Sequence, residues 1–174
     1  MGETVVEKIL SRHAGRPVRP GDIVDIAIDA RVARDFGGAN VVKNLRDHGL
    51  GVADVSKTFF TFDCNPGGSD QKYAANQHAC RLFARERAVG LFDIDAGIGT
   101  HVAIEEGLVV PGGTLVSTDS HANILGAIGA FGQGMGDQDI AAAWAYGRVW
   151  FKVPGSVKID LKGTPPAGTT AKDL

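Results

Sequence analysis

One segment constrains this chain more than any other. Thr114 to Thr118 is a short apolar and β-branched run, Asp119-Ser120-His121 follows at once, and Gly126, Gly129, Gly132, Gly134 and Gly136 come next. The run predicts a strand. An acid, a hydroxyl and an imidazole at a strand end can hold a small polar ligand and move protons on it. The glycines let backbone approach closely, either to a bound anion or to a neighbouring segment.

Elements of alternating type surround this segment. Thr4 to Arg12 has apolar residues at helical spacing and stops at the Gly15 to Pro20 turn. Asp22 to Asp29 alternates through Val24, Ile26 and Ile28, the period of a strand. Ala39 to His48 returns to helical spacing and closes at Gly49. Thr58 to Phe62 reads as a strand that breaks into the loop Asp63-Cys64-Asn65-Pro66-Gly67-Gly68. A helix is predicted from a Ser69 cap to Arg87, with Tyr73, Cys80 and Phe83 on one face and Gly90 as its stop. Leu91 to Ile94 is a short strand, Thr100 to Glu106 a helical turn, and Asp137 to Tyr146 a helix turning Ile140, Ala141 and Trp144 inward. Val149 to Val153 and Val157 to Leu161 read as two further strands. The alternation predicts an α/β fold, a layered α/β/α domain with a central sheet. Residues 1–162 form that domain in this reading, and 163–174 form a linker leading onward.

In such sheets ligands bind beyond the carboxyl ends of the strands. Three predicted strands end in polar groups there: Asp63-Cys64-Asn65, Asp95, and Asp119-Ser120-His121. His101, after Gly97-Ile98-Gly99-Thr100, is a candidate general acid or base, with Asp63, Asp95 or Asp119 as the carboxylate to orient it. Each also has a plainer reading: Asp63 suits an Asx-turn, His101 a structural role, and the Gly132 to Gly136 glycines close packing. Glu105 and Glu106 read as a solvated face, and His13, His48 and His78 as surface residues.

Composition narrows the function classes. The chain has 174 residues, a formal net charge of −2 and 44% apolar residues, enough for a single buried core. The charge is scattered, so neither nucleic acid nor a membrane is an expected partner; small molecules or proteins are. No apolar stretch reaches transmembrane length, and the start lacks the pattern of a signal peptide. Two cysteines, Cys64 and Cys80, make no disulfide framework or metal-binding pair and suit a reducing cytoplasm. Cys80 lies on an apolar helical stripe and reads as core. Cys64 would act as a nucleophile only with a nearby base.

At several of these residues the chain resembles the aconitase superfamily, most closely the large subunits of 3-isopropylmalate dehydratase and homoaconitase. The anchors are Val5-Val6-Glu7-Lys8-Ile9-Leu10-Ser11-Arg12-His13-Ala14-Gly15, the Gly107-Leu108-Val109-Val110-Pro111-Gly112 turn, Asp119-Ser120-His121, Gly126-Ala127-Ile128-Gly129-Ala130-Phe131 and Trp150-Phe151-Lys152-Val153-Pro154. The resemblance implies a hydro-lyase that dehydrates and rehydrates a hydroxy-di- or tricarboxylic acid on a 4Fe–4S cluster whose open iron is the Lewis acid. It places Asp119 and Ser120 at the substrate, His121 in support, His101 as an active-site histidine and Asp63 in an Asp-His pair. Asn123 and Cys64 fall on the substrate-binding side. A small subunit carrying a swivelling domain is implied as partner.

The chain also departs from the family. Cys64 stands where a histidine commonly follows the aspartate, His101 needs a one-residue shift, and Ala122-Asn123 replaces the common Thr-Cys. The family's cluster cysteines lie in a Ser-Cys-Thr-Asn context and a Cys-x-x-Cys pair, and neither occurs here, so no cluster is expected on this chain alone. The expected function is the N-terminal part of such a hydro-lyase. Two other readings compete: a cluster-less carboxylic-acid-binding or regulatory module, and an enzyme using Cys64 with His101.

Overall fold

The computed structural model describes residues 2–173. Helix α1 (Val5–Ala14) starts on a capping box, in which the Thr4 hydroxyl accepts from the Glu7 amide and the Glu7 carboxylate from the Thr4 amide. It packs on β1 (Ile23–Ala27), which pairs antiparallel with β7 (Arg148–Lys152) in a small separate sheet.

The main sheet is parallel. Its strands are β2 (Ala30–Arg34), β3 (Thr58–Thr61), β4 (Gly90–Phe92), β5 (Thr114–Ser117) and β6 (Phe131–Gly134), in the order β4-β3-β2-β5-β6. The chain runs outward from β2 to β4, returns to β5 beside β2, and continues to β6. The order therefore reverses between β2 and β5, where connections leave in opposite directions and open a crevice. Right-handed crossovers place the connecting helices on opposite faces. On one face, α2 (Gly38–Asp47), α3 (Gln71–Arg87) and α5 (Asp137–Tyr146) bury Val41, Leu45, Cys80, Phe83 and Trp144. On the other, α4 (Gly99–Glu105) and the 3-10 segment Ser120–Ile128 cover Val32 and Leu115 with Ala103, Ala122 and Leu125. The predicted α/β/α layering is thus the observed one.

Several sequence expectations need correction. Strand β2 was absent from them although it is the centre of the sheet. Ala-Arg-Val-Ala-Arg shows no period-two alternation, because both faces of a central parallel strand are buried. Asp70, not Ser69, caps α3, through a bond from the Tyr73 amide to its carboxylate. The helix ends at Ala88, in a left-handed conformation at φ 56°, and Gly90 already belongs to β4. Val157 to Leu161 is no strand: Val157, Ile159 and Leu161 alternate as a strand would, but no strand among the described residues pairs with them and all three are exposed. His13 is not a surface residue. Its Nε2 lies 2.8 Å from the Asp29 carboxylate and its Nδ1 2.8 Å from the Ile9 carbonyl, which ties α1 to the β1–β2 connection.

The glycines after Asp119 serve close packing. A methyl group on Gly132 would run into the Ala122 carbonyl, and one on Gly134 would stand 2.6 Å from the Asp119 carbonyl. These glycines let β6 lie against the 3-10 segment that carries Asp119-Ser120-His121.

Phe60 is the centre of the larger core, edge-on to Trp144 at 4.9 Å and to Phe83 at 6.3 Å between ring centroids. Phe60→Ala is expected to lower the unfolding free energy by about 3–5 kcal/mol in a urea titration. A loss below about 1 kcal/mol would mean that the helices pack on the sheet without it.

Candidate functional site

The carboxyl ends of β2, β3 and β5 are tied together by backbone bonds and by the Thr118 hydroxyl. The Arg34 amide donates to the Thr118 hydroxyl at 2.9 Å and the Thr118 amide to the Val32 carbonyl at 3.3 Å, so the residue after Thr118 emerges beside Arg34. The Asp35 amide donates to the Thr61 carbonyl at 3.1 Å, which brings the loop after β3 to the same place. Asp63 and Asp119, far apart in sequence, thus face one guanidinium.

Arg34 bridges them. Its Nε donates to Asp63 Oδ1 at 2.6 Å, and its Nη1 lies 2.9 Å from Asp119 Oδ1. Both aspartate side chains are only 4% exposed, so the pairs are shielded from bulk solvent. Asp63 Oδ2 also accepts the Gly99 amide at 2.7 Å, which anchors the start of α4. Asp119 Oδ1 also accepts the His121 amide at 3.0 Å and lies 2.9 Å from His121 Nδ1. Burial opposes ionisation of Asp119, but the bonds from His121 and the charge of Arg34 outweigh it and hold its pKa below the usual 3.8.

A second group of contacts lies behind Asp63. Asp35 is fully buried and accepts the Cys64 amide at 3.0 Å, the Asn65 amide at 3.3 Å and Gln77 Nε2 at 3.0 Å. Burial, then the adjacent Asp35 carboxylate, pushes the Cys64 thiol up to about 12, although Arg34 acts in the opposite sense. Such a thiol is neutral near pH 7, which opposes the reading of Cys64 as a nucleophile. Cys80 is buried in the core, and burial pushes its thiol up to about 12 as well. Oxygens of Asp35 and Asp63 and the Cys64 sulfur lie within 4.8 Å of one another. Both carboxylates are already engaged by amides, Gln77 and Arg34, and the Arg34 guanidinium beside Asp63 opposes a cation at this set.

Of the predicted site residues, the structure brings together Asp63, Cys64, Asp119 and His121. The His121 ring is 83% exposed, held by one nitrogen and open at the other. Ser120 and Asn123 are exposed on the 3-10 segment beside it. His101 is exposed on α4, two residues beyond the Gly99 amide that binds Asp63, and its ring makes no hydrogen bond among the described residues. Asp95 does not join the cluster: it is exposed, while Asp93 turns to Arg81 at 2.6 Å. Sequence reasoning missed Arg34, Asp35 and Gln77. The available signal was the polar pair Arg34-Asp35 closing an apolar segment, as Asp63-Cys64 does.

Beneath the bridge is a cavity of about 10 Å³ bounded by Arg34, Thr61, Gly99, Thr100, Ser117 and Asp119. The buried Thr61 hydroxyl lines it without a partner among the described residues, and the space matches one water molecule. A groove of about 640 Å³ lies at the start of α1 and touches none of these groups. The site is therefore an open ledge.

A profile of the aconitase family (aconitate hydratase) matches residues 7–174. The homoaconitase large subunit of Thermus thermophilus is 39% identical over 173 residues, covering 99% of this chain and 41% of that protein. A 3-isopropylmalate dehydratase large subunit of Thermotoga maritima is 36% identical over 174 residues, covering 100% of this chain and 41% of its own length. That of Sulfurisphaera tokodaii is 39% identical over 176 residues, with 100% and 42% covered. The chain thus spans about two-fifths of the length of these relatives.

Removing Arg34 leaves two buried carboxylates facing each other. Arg34→Met is expected to cost about 3 kcal/mol in chemical unfolding, and a cost under about 1 kcal/mol would class the bridge with surface pairs. Because the pKa values of Asp35 and Asp119 are lowered by folding, the stability they contribute is present above pH 3.8 and is lost as pH falls through their folded values. Without Arg34 the Asp119 value rises, so the acid transition followed by circular dichroism should begin at higher pH in the variant.

Proposed function

The chain belongs to the aconitase family, and from that membership we propose that it supplies the N-terminal α/β/α part of a hydro-lyase acting on a hydroxy-di- or tricarboxylic acid. The substrate is of the 3-isopropylmalate, homocitrate/homoisocitrate or citrate type. Residues 1–162 form the domain and 163–174 lead onward. The observation that carries this reading is the convergence of Asp63 and Asp119 on Arg34, with His121 on Asp119, at the reversal point of the sheet.

Dehydration takes a proton from carbon and adds one to the departing hydroxide. His121 is built to carry a proton: with Nδ1 held by Asp119, its Nε2 is left to give or take one at the ledge. Asp119 orients the ring, and Arg34 holds Asp119. Asp63 fixes the start of α4, so that His101 stands at the rim of the same ledge. Ser120 and Asn123 offer a hydroxyl and an amide to substrate oxygens. Cys64 offers a neutral thiol where the family commonly has an imidazole.

The iron–sulfur cluster implied by the family does not fit the residues present. Thiolate ligands are required, Cys80 is enclosed in the core, and Cys64 is held neutral between carboxylates. In the longer enzyme the ligands come from elsewhere in the polypeptide, and a small subunit completes the site, as the large-subunit relatives suggest.

The ledge carries Asp63 and Asp119 against the single guanidinium of Arg34, which both already engage, a balance that leaves no free positive charge for polycarboxylates. This weighs against a stand-alone acid-binding module. Calorimetry on residues 1–174 should show no saturable heat with citrate or malate, and saturable binding would restore that reading. Iron and sulfide added to the same chain should leave it colourless; a stoichiometric cluster spectrum would overturn the ligand argument.

Activity is testable in a chimera in which residues 1–174 replace the matching part of a 3-isopropylmalate dehydratase large subunit, assembled with its small subunit. Turnover is expected, with Asp119→Asn and His121→Ala each lowering kcat about 100-fold or more. Full turnover in both variants would remove these residues from the chemistry.

A further inference from the structure

Asp35 has no role among the groups assigned above, yet it is fully buried and binds two backbone amides of the loop after β3. One oxygen accepts the Cys64 amide at 3.0 Å, and the other accepts the Asn65 amide at 3.3 Å and Gln77 Nε2 at 3.0 Å. Gln77, itself only 3% exposed, also donates at 3.0 Å to the Asn65 carbonyl. The turn is thus held at two amides and one carbonyl by side chains from β2's end and α3. A buried carboxylate is costly unless it is satisfied in this way. The Cys64 sulfur is placed by the same contacts, 3.8 Å from Asp63 Oδ1 and within 4.8 Å of an Asp35 oxygen.

We propose that Asp35 is a positioning residue: it fixes the Asp63-Cys64-Asn65 turn so that the Cys64 thiol is set between two carboxylates as a hydrogen-bond donor to Asp63. The thiol hydrogen serves Asp63, whose Oδ1 also takes the Arg34 Nε–H and whose Oδ2 takes the Gly99 amide. Asp63 then keeps a donor at the place where the family commonly carries an imidazole. The consequence for turnover rests on the hydro-lyase reading above, whereas the geometry stands without it.

The groups around the thiol set its titration. Arg34 and Asp35 face it from the end of β2, Asp63 from its own turn and Tyr73 from α3. Burial is the largest influence, followed by Asp35, and Arg34 alone among the named causes acts downward. Removing the charge of Asp35 while keeping its shape should release part of the upward push. Thiolate, the reactive form, then appears at lower pH.

The test is alkylation of residues 1–174 by iodoacetamide across pH 7–11, read peptide by peptide, with the enclosed Cys80 as the internal report on folding. In the unmodified chain Cys64 should label slowly near neutral pH. Asp35→Asn should speed Cys64 labelling about tenfold or more at pH 8, the equivalent of one unit of pKa, with Cys80 still protected and Asp35→Glu partly restoring slow labelling. Equal Cys64 rates in the unmodified chain and Asp35→Asn, both folded, would overturn the proposal. If Asp35→Asn exposes Cys80, amide hydrogen exchange of the unmodified chain decides: Cys64 and Asn65 should exchange more slowly than Gly67, and equal exchange refutes the role. In the chimera, faster labelling with unchanged kcat would keep Asp35 as a positioning residue and remove Cys64 from turnover, so the two readings fail separately.

Discussion

The Arg34 bridge is the interaction on which the rest of the site depends. Asp63 and Asp119 approach each other from strands on either side of β2, and two carboxylates that are 4% exposed cannot share a low-dielectric space without a cation between them. The guanidinium suits this task because its rigid fork offers donors in two directions at once. The bridge also has reach beyond the acids, since Asp63 anchors the start of α4 and Asp119 orients His121. One side chain on the central strand therefore sets the position of groups contributed by three connections.

The sheet is what makes such a bridge available. Strand order reverses beside β2, so the connections after β3 and β5 diverge above it and leave its carboxyl end accessible. Both faces of the sheet are covered, by α2, α3 and α5 on one side and by α4 with the 3-10 segment on the other. The second cover is thin. It holds because Gly132 and Gly134 bring β6 into contact with the backbone that carries Asp119-Ser120-His121. Packing and site geometry are here the same contacts.

Charge separates the ledge from a complete polycarboxylate site. It is rich in carboxylates and proton carriers but has one guanidinium, already engaged, and Cys64, its one cysteine among the described residues, is unsuited to a cluster. On the proposed reading, this composition fits part of a larger active site whose compensating positive charge lies on other residues. It accords with a chain that spans about two-fifths of relatives named as large subunits.

What the sequence determined by itself was local. Helical periodicity and caps located α1, α2 and α5, β-branched runs located β1, β3, β5 and β7, and the polar ends of β3 and β5 marked Asp63 and Asp119. These signals lie within a few residues of one another, so they survive without a fold. Ser69 and Asp70 compete for one cap within such a window, and only the observed bond to the Tyr73 amide decides between them. The tertiary structure alone decided which acids meet. Asp95 looked equivalent to Asp63 and Asp119, but it follows edge strand β4 and stands exposed away from the reversal point. Arg34 and Asp35 lie in a strand whose burial on both faces erased its alternation. Val157 to Leu161 shows the opposite failure, a strand pattern without a pairing edge among the described residues. The physical reason is common to all three: a strand and a buried ion pair are completed by atoms distant in sequence, and strand order, which no local pattern encodes, chooses those atoms.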